Sequence, residues 1–140
     1  MMIIDAENHV LGRLSSVIAK HLLNGEEISV VNCEKSVLAG GTKYTIKKYL
    51  TKLERGDPHH GPFFPKTPDE IFGRTIRGML PWDRARGREA FKRLMVFIGM
   101  PSELKDKKME RVKVAEASNL KCNYITLGEL STAIGAKKRW

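Results

Sequence analysis

Between residues 3 and 33 the chain reads strand, helix, strand, and this alternation narrows the fold more than any other feature. Ile3-Ile4-Asp5 forms a short apolar run. From Leu11 to Leu23, Leu11, Leu14, Val17, Ile18 and Leu22 recur at helical spacing, with Arg13, Ser16 and Lys20 on the opposite side. His21 falls on the apolar side, where a packed structural histidine is expected rather than a metal ligand. Asn24-Gly25 supplies a left-handed helix stop. Ile28-Ser29-Val30-Val31-Asn32-Cys33 is short and β-branched, as a strand is. Two strands joined by one helix make a right-handed crossover, so they pair in parallel, and the expected class is α/β.

The remaining segments extend this unit. With 140 residues the chain is expected to be one domain with a real core. Val37-Leu38-Ala39 is a candidate third strand. Gly40-Gly41-Thr42-Lys43 lacks the leading glycine and spacer of a phosphate-binding loop and reads as a turn into a helix. In that helix Ile46, Tyr49, Leu50 and Leu53 form the buried stripe, Lys48, Lys52 and Arg55 form a row opposite it, and Gly56 ends it. Four prolines in residues 57–68 exclude a regular element there. The adjacent Phe63 and Phe64 in that loop are either pinned to the core or displayed to a partner. Thr67-Pro68-Asp69-Glu70 predicts a helix start with a capping box. That helix carries Ile71, Phe72 and Ile76 and breaks at Gly78 and Pro81. A second helix is expected from about Asp83 to Arg93, with Gly87, Ala90, Phe91 and Leu94 as a narrow apolar seam. Arg84, Arg88 and Lys92 flank one shoulder of the seam, Arg86 and Arg93 the other. Leu94 to Ile98 reads as a buried strand. Residues 101–140 are expected to form a basic C-terminal arm, alternating in sign from Lys105 to Lys113. A short helix capped by Thr126 and Glu129 and a basic end, Lys137-Lys138-Arg139, follow.

Charge gives the first functional direction. The formal net charge is +9, and it is unevenly placed. Residues 1–40 carry three basic and five acidic side chains, whereas residues 41–100 carry thirteen and six. Such a gradient predicts one electropositive face, for which nucleic acid is the commonest partner. Its densest part runs from Gly73 to Arg88 and holds five of the ten arginines, spaced by glycines. Arginine presents a planar, permanently charged fork, and glycine lets backbone N–H groups come close, so this stretch reads as a surface for phosphates. The expected contacts are Arg74, Arg77, Arg84, Arg86, Arg88 and Lys92, with Gly78 admitting the backbone. Lys47, Lys48, His59 and His60 form a second zone.

Other chemistries find less support. Cys33 and Cys122 stand far apart without companion ligands and read as reduced thiols, and His59-His60 has no third ligand nearby. Neither a metal nor another cofactor is expected. No apolar run reaches membrane-spanning length, and the N-terminus lacks the pattern of a secretory leader, so a cytoplasmic protein is expected. The competing reading is a nucleotide- or RNA-processing enzyme with its cleft at the strand ends. Against it, Asp5, Glu7 and Glu34 form no recognisable pair, and no Ser-His or Cys-His set has supporting motifs. A small-molecule substrate and a membrane partner are therefore not expected.

Several motifs resemble one known family. Asn8-His9-Val10-Leu11-Gly12-Arg13-Leu14-Ser15-Ser16 and Val30-Val31-Asn32-Cys33-Glu34-Lys35 are similar to the opening motifs of the large-subunit ribosomal protein L-thirteen family. Arg77-Gly78-Met79-Leu80-Pro81, then Arg86-Gly87 and Leu94-Met95-Val96-Phe97, resemble its central signature. Gly61-Pro62-Phe63-Phe64-Pro65 and Arg74-Thr75-Ile76-Arg77-Gly78 look like its archaeal and eukaryotic branch, and the short tail favours the archaeal side. The likeness covers residues 3–100. It implies a three-layer α/β/α fold on a small, mainly parallel sheet, with no enzymatic activity and no cofactor. It also implies that the segment from Arg74 to Arg88 faces large-subunit ribosomal RNA, with neighbouring ribosomal proteins as further partners. Trp82 stands where that family commonly has a basic residue, and it is a candidate to stack on a base or a guanidinium.

Overall fold

The computed structural model describes residues 1–105, 107–138 and 140. Asp106 of the sign-alternating stretch and Arg139 of the basic end lie outside the described residues. Strand β1 (Met2–Asp5) leads into helix α1 (Leu11–Leu23) and strand β2 (Ile28–Val31). β1 and β2 pair in parallel, with Ile3 opposite Ser29 and Ile4 opposite Val30. Each strand leaves the sheet through an asparagine with positive φ, Asn8 at 57° and Asn32 at 54°, a conformation that asparagine tolerates better than most residues. The order of the parallel sheet is β1-β2-β4, with β4 (Leu94–Val96) joining β2 in parallel. A separate antiparallel pair joins β3 (Val37–Ala39) to β5 (Tyr124–Thr126). The molecule is thus a small α/β fold on a mainly parallel sheet.

Side-chain alternation along the strands divides the core in two. Ile4, Ile28 and Val30 face the helices and join Leu14, Ile18, Leu22, Ile71, Phe72 and Ile76 in the main cluster. Ile3 and Val31 face the other way, into a smaller cluster with Leu104, Phe97 and Met100. Helix α2 (Thr42–Glu54) follows β3, and α3 (Pro68–Arg77) and α4 (Ala85–Lys92) pack on α1.

Three local features differ from the sequence expectation. β4 is shorter than the buried strand expected over residues 94–98, and it lies at a sheet edge with Met95 57 % exposed. The capping box expected at Thr67 is absent: Thr67 is the N-cap and Pro68 takes the first helical position, but the Thr67 side chain makes no cap hydrogen bond. The Thr67 hydroxyl and one Asp69 carboxylate oxygen are buried there without a hydrogen-bond partner among the described residues. His21 is not packed: it is half-exposed and lies 3.1 Å from Glu26 Oε2. The second capping box does form. The Glu129 N–H donates to Thr126 Oγ1 at 3.2 Å, and the Thr126 N–H donates to Glu129 Oε2 at 3.1 Å, starting α5 (Leu127–Ala133).

Residues 101–140, which the sequence presents as an arm and a helix, are tied to the body at several points. The Glu110 N–H donates to the Ile3 carbonyl and the Asp5 N–H to the Glu110 carbonyl, which covers the outer edge of β1. Val112 N–H donates to Nε2 of buried His9, whose Nδ1 meets the Glu7 carbonyl at 2.8 Å. Ile125, Leu127, Leu130 and Ile134 complete the main core.

Asp5 is the electrostatic part of this attachment. Burial alone would raise its pKa. Hydrogen bonds from Asn32 Nδ2 (2.9 Å), the Glu7 N–H (3.1 Å) and Arg111 (2.9 and 3.2 Å) outweigh burial and hold it below the ordinary carboxylate value. A lowered folded-state pKa means that the ionised form favours the fold. That contribution is complete above the unfolded value of about 3.9 and is lost as pH falls through the lower folded value. Asp5→Asn should therefore cost about 1–3 kcal/mol at pH 7. The gap from wild type should narrow below about pH 4. Urea denaturation at pH 7 and pH 3 checks this, and a gap that does not change with pH would exclude the ionic contribution.

Candidate nucleic-acid interface

The basic surface is built from α3, α4 and the turn between them. Isoleucines and a phenylalanine on α3 bury one face of that helix and leave Arg74 and Arg77 exposed on the other. Leu80 turns back into the core, while Pro81 and Arg84 stay outside. Gly87 and Ala90 are the buried positions of α4. Phe91, expected on the buried seam, is only half-buried.

The candidate cations occupy distinct environments. The Arg74 guanidinium lies 4.8 Å from the Phe64 ring centroid and donates to the Phe63 carbonyl at 2.9 Å. Arg77 lies 4.1 Å from the Trp82 ring centroid, and Trp82 meets Phe91 edge to face at 5.5 Å. Trp82 therefore stacks on a guanidinium of its own chain. Arg86 donates to the Leu23 carbonyl at 3.2 Å, and Arg93 to the Leu22 carbonyl at 2.9 Å. Those are end carbonyls of α1, so the shoulder of α4 bearing Arg86 and Arg93 also serves as a helix C-cap. Arg88 reaches the Asp83 carbonyl at 3.3 Å, and Arg84 and Lys92 are exposed. Gly78 ends α3 at an ordinary right-handed φ of −65°. A Cβ there would come no nearer than 3.5 Å to its neighbours, so the fold itself does not demand glycine.

Lys47 and Lys48 lie on the exposed side of α2 with Tyr44, Lys52 and Arg55. His59 and His60 occupy the turn from Asp57 to Gly61, with His60 Nδ1 3.6 Å from Asp57 Oδ2. Lys52, which helical spacing puts in a row with Lys48 and Arg55 but which is not among the expected contacts, also belongs to this surface. Its ammonium sits 4.8 Å from the Tyr49 centroid and 5.0 Å from that of Phe64. Burial, then the positive charges of Lys48 and Arg74, lower its pKa. It joins the α2 face to the α3 arginines through Phe64, whose ring both Lys52 and Arg74 approach, a contact that the helical spacing of Lys48 and Lys52 alone does not reveal. Phe64 is the pinned phenylalanine, edge to face with Tyr49 at 5.6 Å, and Phe63 is the displayed one, 69 % exposed.

Two electrostatic features set this surface apart. Among the described residues no salt bridge engages the cations of α3 and α4: the bridges are His21–Glu26, Lys35–Glu7, Arg111 with Asp5 and Glu7, and, within the second zone, His60–Asp57. In addition, α4 has Arg84 at its N-cap, Arg86 and Arg88 close behind, and no acid in its first turn. The positive end of a helix normally attracts carboxylates. Cations gathered there are a local conflict that an anion from outside would relieve.

The model of the family "Ribosomal protein L13" matches residues 1–103. Among similar proteins, the large ribosomal subunit protein uL13 of Methanopyrus kandleri is 53 % identical over 95 % of this chain and 86 % of its own length. That of Archaeoglobus fulgidus is 49 % identical over 95 % and 86 %. That of Methanosarcina barkeri is 50 % identical over 98 % and 99 %. Resemblance in the opening and central motifs, the family match and identity across nearly the whole length of archaeal relatives agree: the chain belongs to the ribosomal protein L13 family.

Proposed function

We propose that this protein is a structural, non-enzymatic constituent of the cytoplasmic large ribosomal subunit, binding and bridging ribosomal RNA through the surface of α3 and α4. Arg74, Arg77, Arg84, Arg86, Arg88 and Lys92 neutralise phosphates, Gly78 lets the backbone approach, and Lys47, Lys48, His59 and His60 touch a second RNA segment. All 140 residues act as one RNA-binding unit that supports subunit assembly and contacts neighbouring ribosomal proteins. The observation that carries this reading is the arginine-rich N-terminus of α4, which has no carboxylate in its first turn to balance it. Phosphates supply the missing charge, and recognition follows the shape of the RNA rather than its sequence.

The test pairs Arg84→Glu with Arg88→Glu, one turn apart and both exposed. The double variant should melt within about 0.5 kcal/mol of wild type, since both sites are on the surface. Its affinity for ribosomal RNA fragments should fall, and the slope of log K against log salt should drop by roughly 0.7–0.9 for each phosphate no longer neutralised. Unchanged affinity and slope would reduce the row to a solvated face. Wild-type protein should also co-sediment with large subunits at moderate salt, and recovery chiefly as free protein would overturn the ribosomal reading.

A further inference from the structure

Beside the arginines lies a groove of about 580 Å³, lined by Phe63, Phe64, Trp82 and Phe91 together with Arg74 and Arg77. We infer that it receives an unpaired nucleobase, so that one nucleotide of the bound RNA leaves its stack and enters the protein. This rests on the RNA-binding reading above and adds an interaction that phosphate neutralisation does not need.

The groove has the parts that base insertion requires. Single-stranded bases are held by aromatic faces and by the planes of arginine guanidinium groups. Phe63 is 69 % exposed, and among the described residues it carries neither a ring nor a cation partner. The guanidinium groups of Arg74 and Arg77 are already held by Phe64 and Trp82, at 4.8 and 4.1 Å from the ring centroids. Each is therefore ready to stack a base or bind the phosphate beside it.

Gly73 is the second sign. It lies within α3 and lines the groove, in a helix interior where alanine is the better helix former. A Cβ at Gly73 would meet only Phe91 Cζ, at 3.9 Å, which is ordinary contact. Neither backbone nor packing asks for glycine here. What glycine provides is an open floor.

The lining also distinguishes a base from a phosphate. Asp69 and Glu70 belong to the same groove. Carboxylates repel a phosphate but accept hydrogen bonds from N–H groups on the edge of a base. The base thus takes the aromatic interior, and its flanking phosphates fall to Arg74 and Arg77.

The experiment is an anisotropy titration with a labelled eight-nucleotide single-stranded RNA and its abasic counterpart, which keeps the phosphates and lacks the central bases. Wild type should bind the complete RNA roughly 5- to 150-fold more tightly, the range expected for one stacked base. Phe63→Ala, and Gly73→Met to fill the floor, should erase that difference and leave abasic binding unchanged, with melting checked for each. Arg84→Glu/Arg88→Glu should weaken both RNAs alike. Should that double variant bind both as wild type does, the phosphate reading fails, independently of the groove. Equal wild-type affinity for the two RNAs, or a difference that survives Phe63→Ala, would overturn base insertion. So would ultraviolet crosslinking in intact subunits that joins Phe63 or Trp82 to a protein instead of RNA.

Discussion

Phe72→Ala should lower stability by about 3–5 kcal/mol, the usual cost of emptying a fully buried phenylalanine site. Phe72 is 0 % exposed and heads the fully buried side chains by volume. It sits in the main cluster with Leu14, Ile18, Ile71 and Ile76, where α1 and α3 meet. A total of roughly 5–15 kcal/mol leaves little room for such a loss. The melting temperature should fall on the order of 10–20 °C. Phe91→Ala is the proper contrast. Sequence spacing places Phe91 on the docking seam, but it is half-buried on the groove lining and touches Trp82 by an edge. Its removal leaves a wall open to solvent rather than an enclosed cavity, so the loss should be clearly smaller. Thermal melts of both variants decide the matter, and equal losses would mean that α4 is seated as tightly as α3.

The contrast between these two phenylalanines shows what was legible in the sequence. β1, α1 and β2 could be read because each has its own period and its own stop, Asn24-Gly25 above all. The second face of the sheet could not. Leu104 covers Ile3 and Val31 from a segment whose sequence is polar, and one apolar residue in such a stretch has no periodicity to reveal it. β5 was hidden in the same way, since Tyr124–Thr126 is three residues long and gains meaning only opposite Val37–Ala39. Capping signals divided on a local detail. Thr126 and Glu129 close their box, while Thr67 takes the N-cap position without a side-chain cap hydrogen bond.

For the interface, the arginine stretch stood out in composition, but the employment of each guanidinium did not. Arg86 and Arg93 turn to the end of α1, and Arg77 turns to Trp82, because those partners come from 63 and 71 residues away or from across a proline turn. Glycines had equally different reasons. Gly73 and Gly78 are tolerant positions by packing, whereas Gly87 is not; helical spacing puts Gly87 on the seam, but the Pro81 backbone pressed against it is visible only in the fold.

Gly87→Ala should accordingly be among the most damaging single-methyl changes available to this chain. A Cβ at Gly87 would clash with the Pro81 carbonyl oxygen and stand 2.5 Å from its carbon, both backbone atoms that no rotamer can move. Gly87 is buried, and its N–H donates to the Arg84 carbonyl while Arg84 N–H donates to that of Pro81. The first turn of α4 is thus pressed directly on the turn that leaves α3. Alanine would raise helix propensity by about 1 kcal/mol, yet overpacking of this kind costs typically about 1–3 kcal/mol and sometimes more. Relief requires α4 to move away from Pro81, and Arg84, Arg86 and Arg88 move with it. Gly87→Ala should therefore lose stability and RNA affinity together, whereas Gly78→Ala, with no backbone atom nearer than 3.5 Å, should keep its stability. Melting and RNA titration of the two alanine variants side by side provide the check. A Gly87→Ala protein that melts and binds like wild type would show that the seam between Pro81 and α4 is not what fixes the arginines in place.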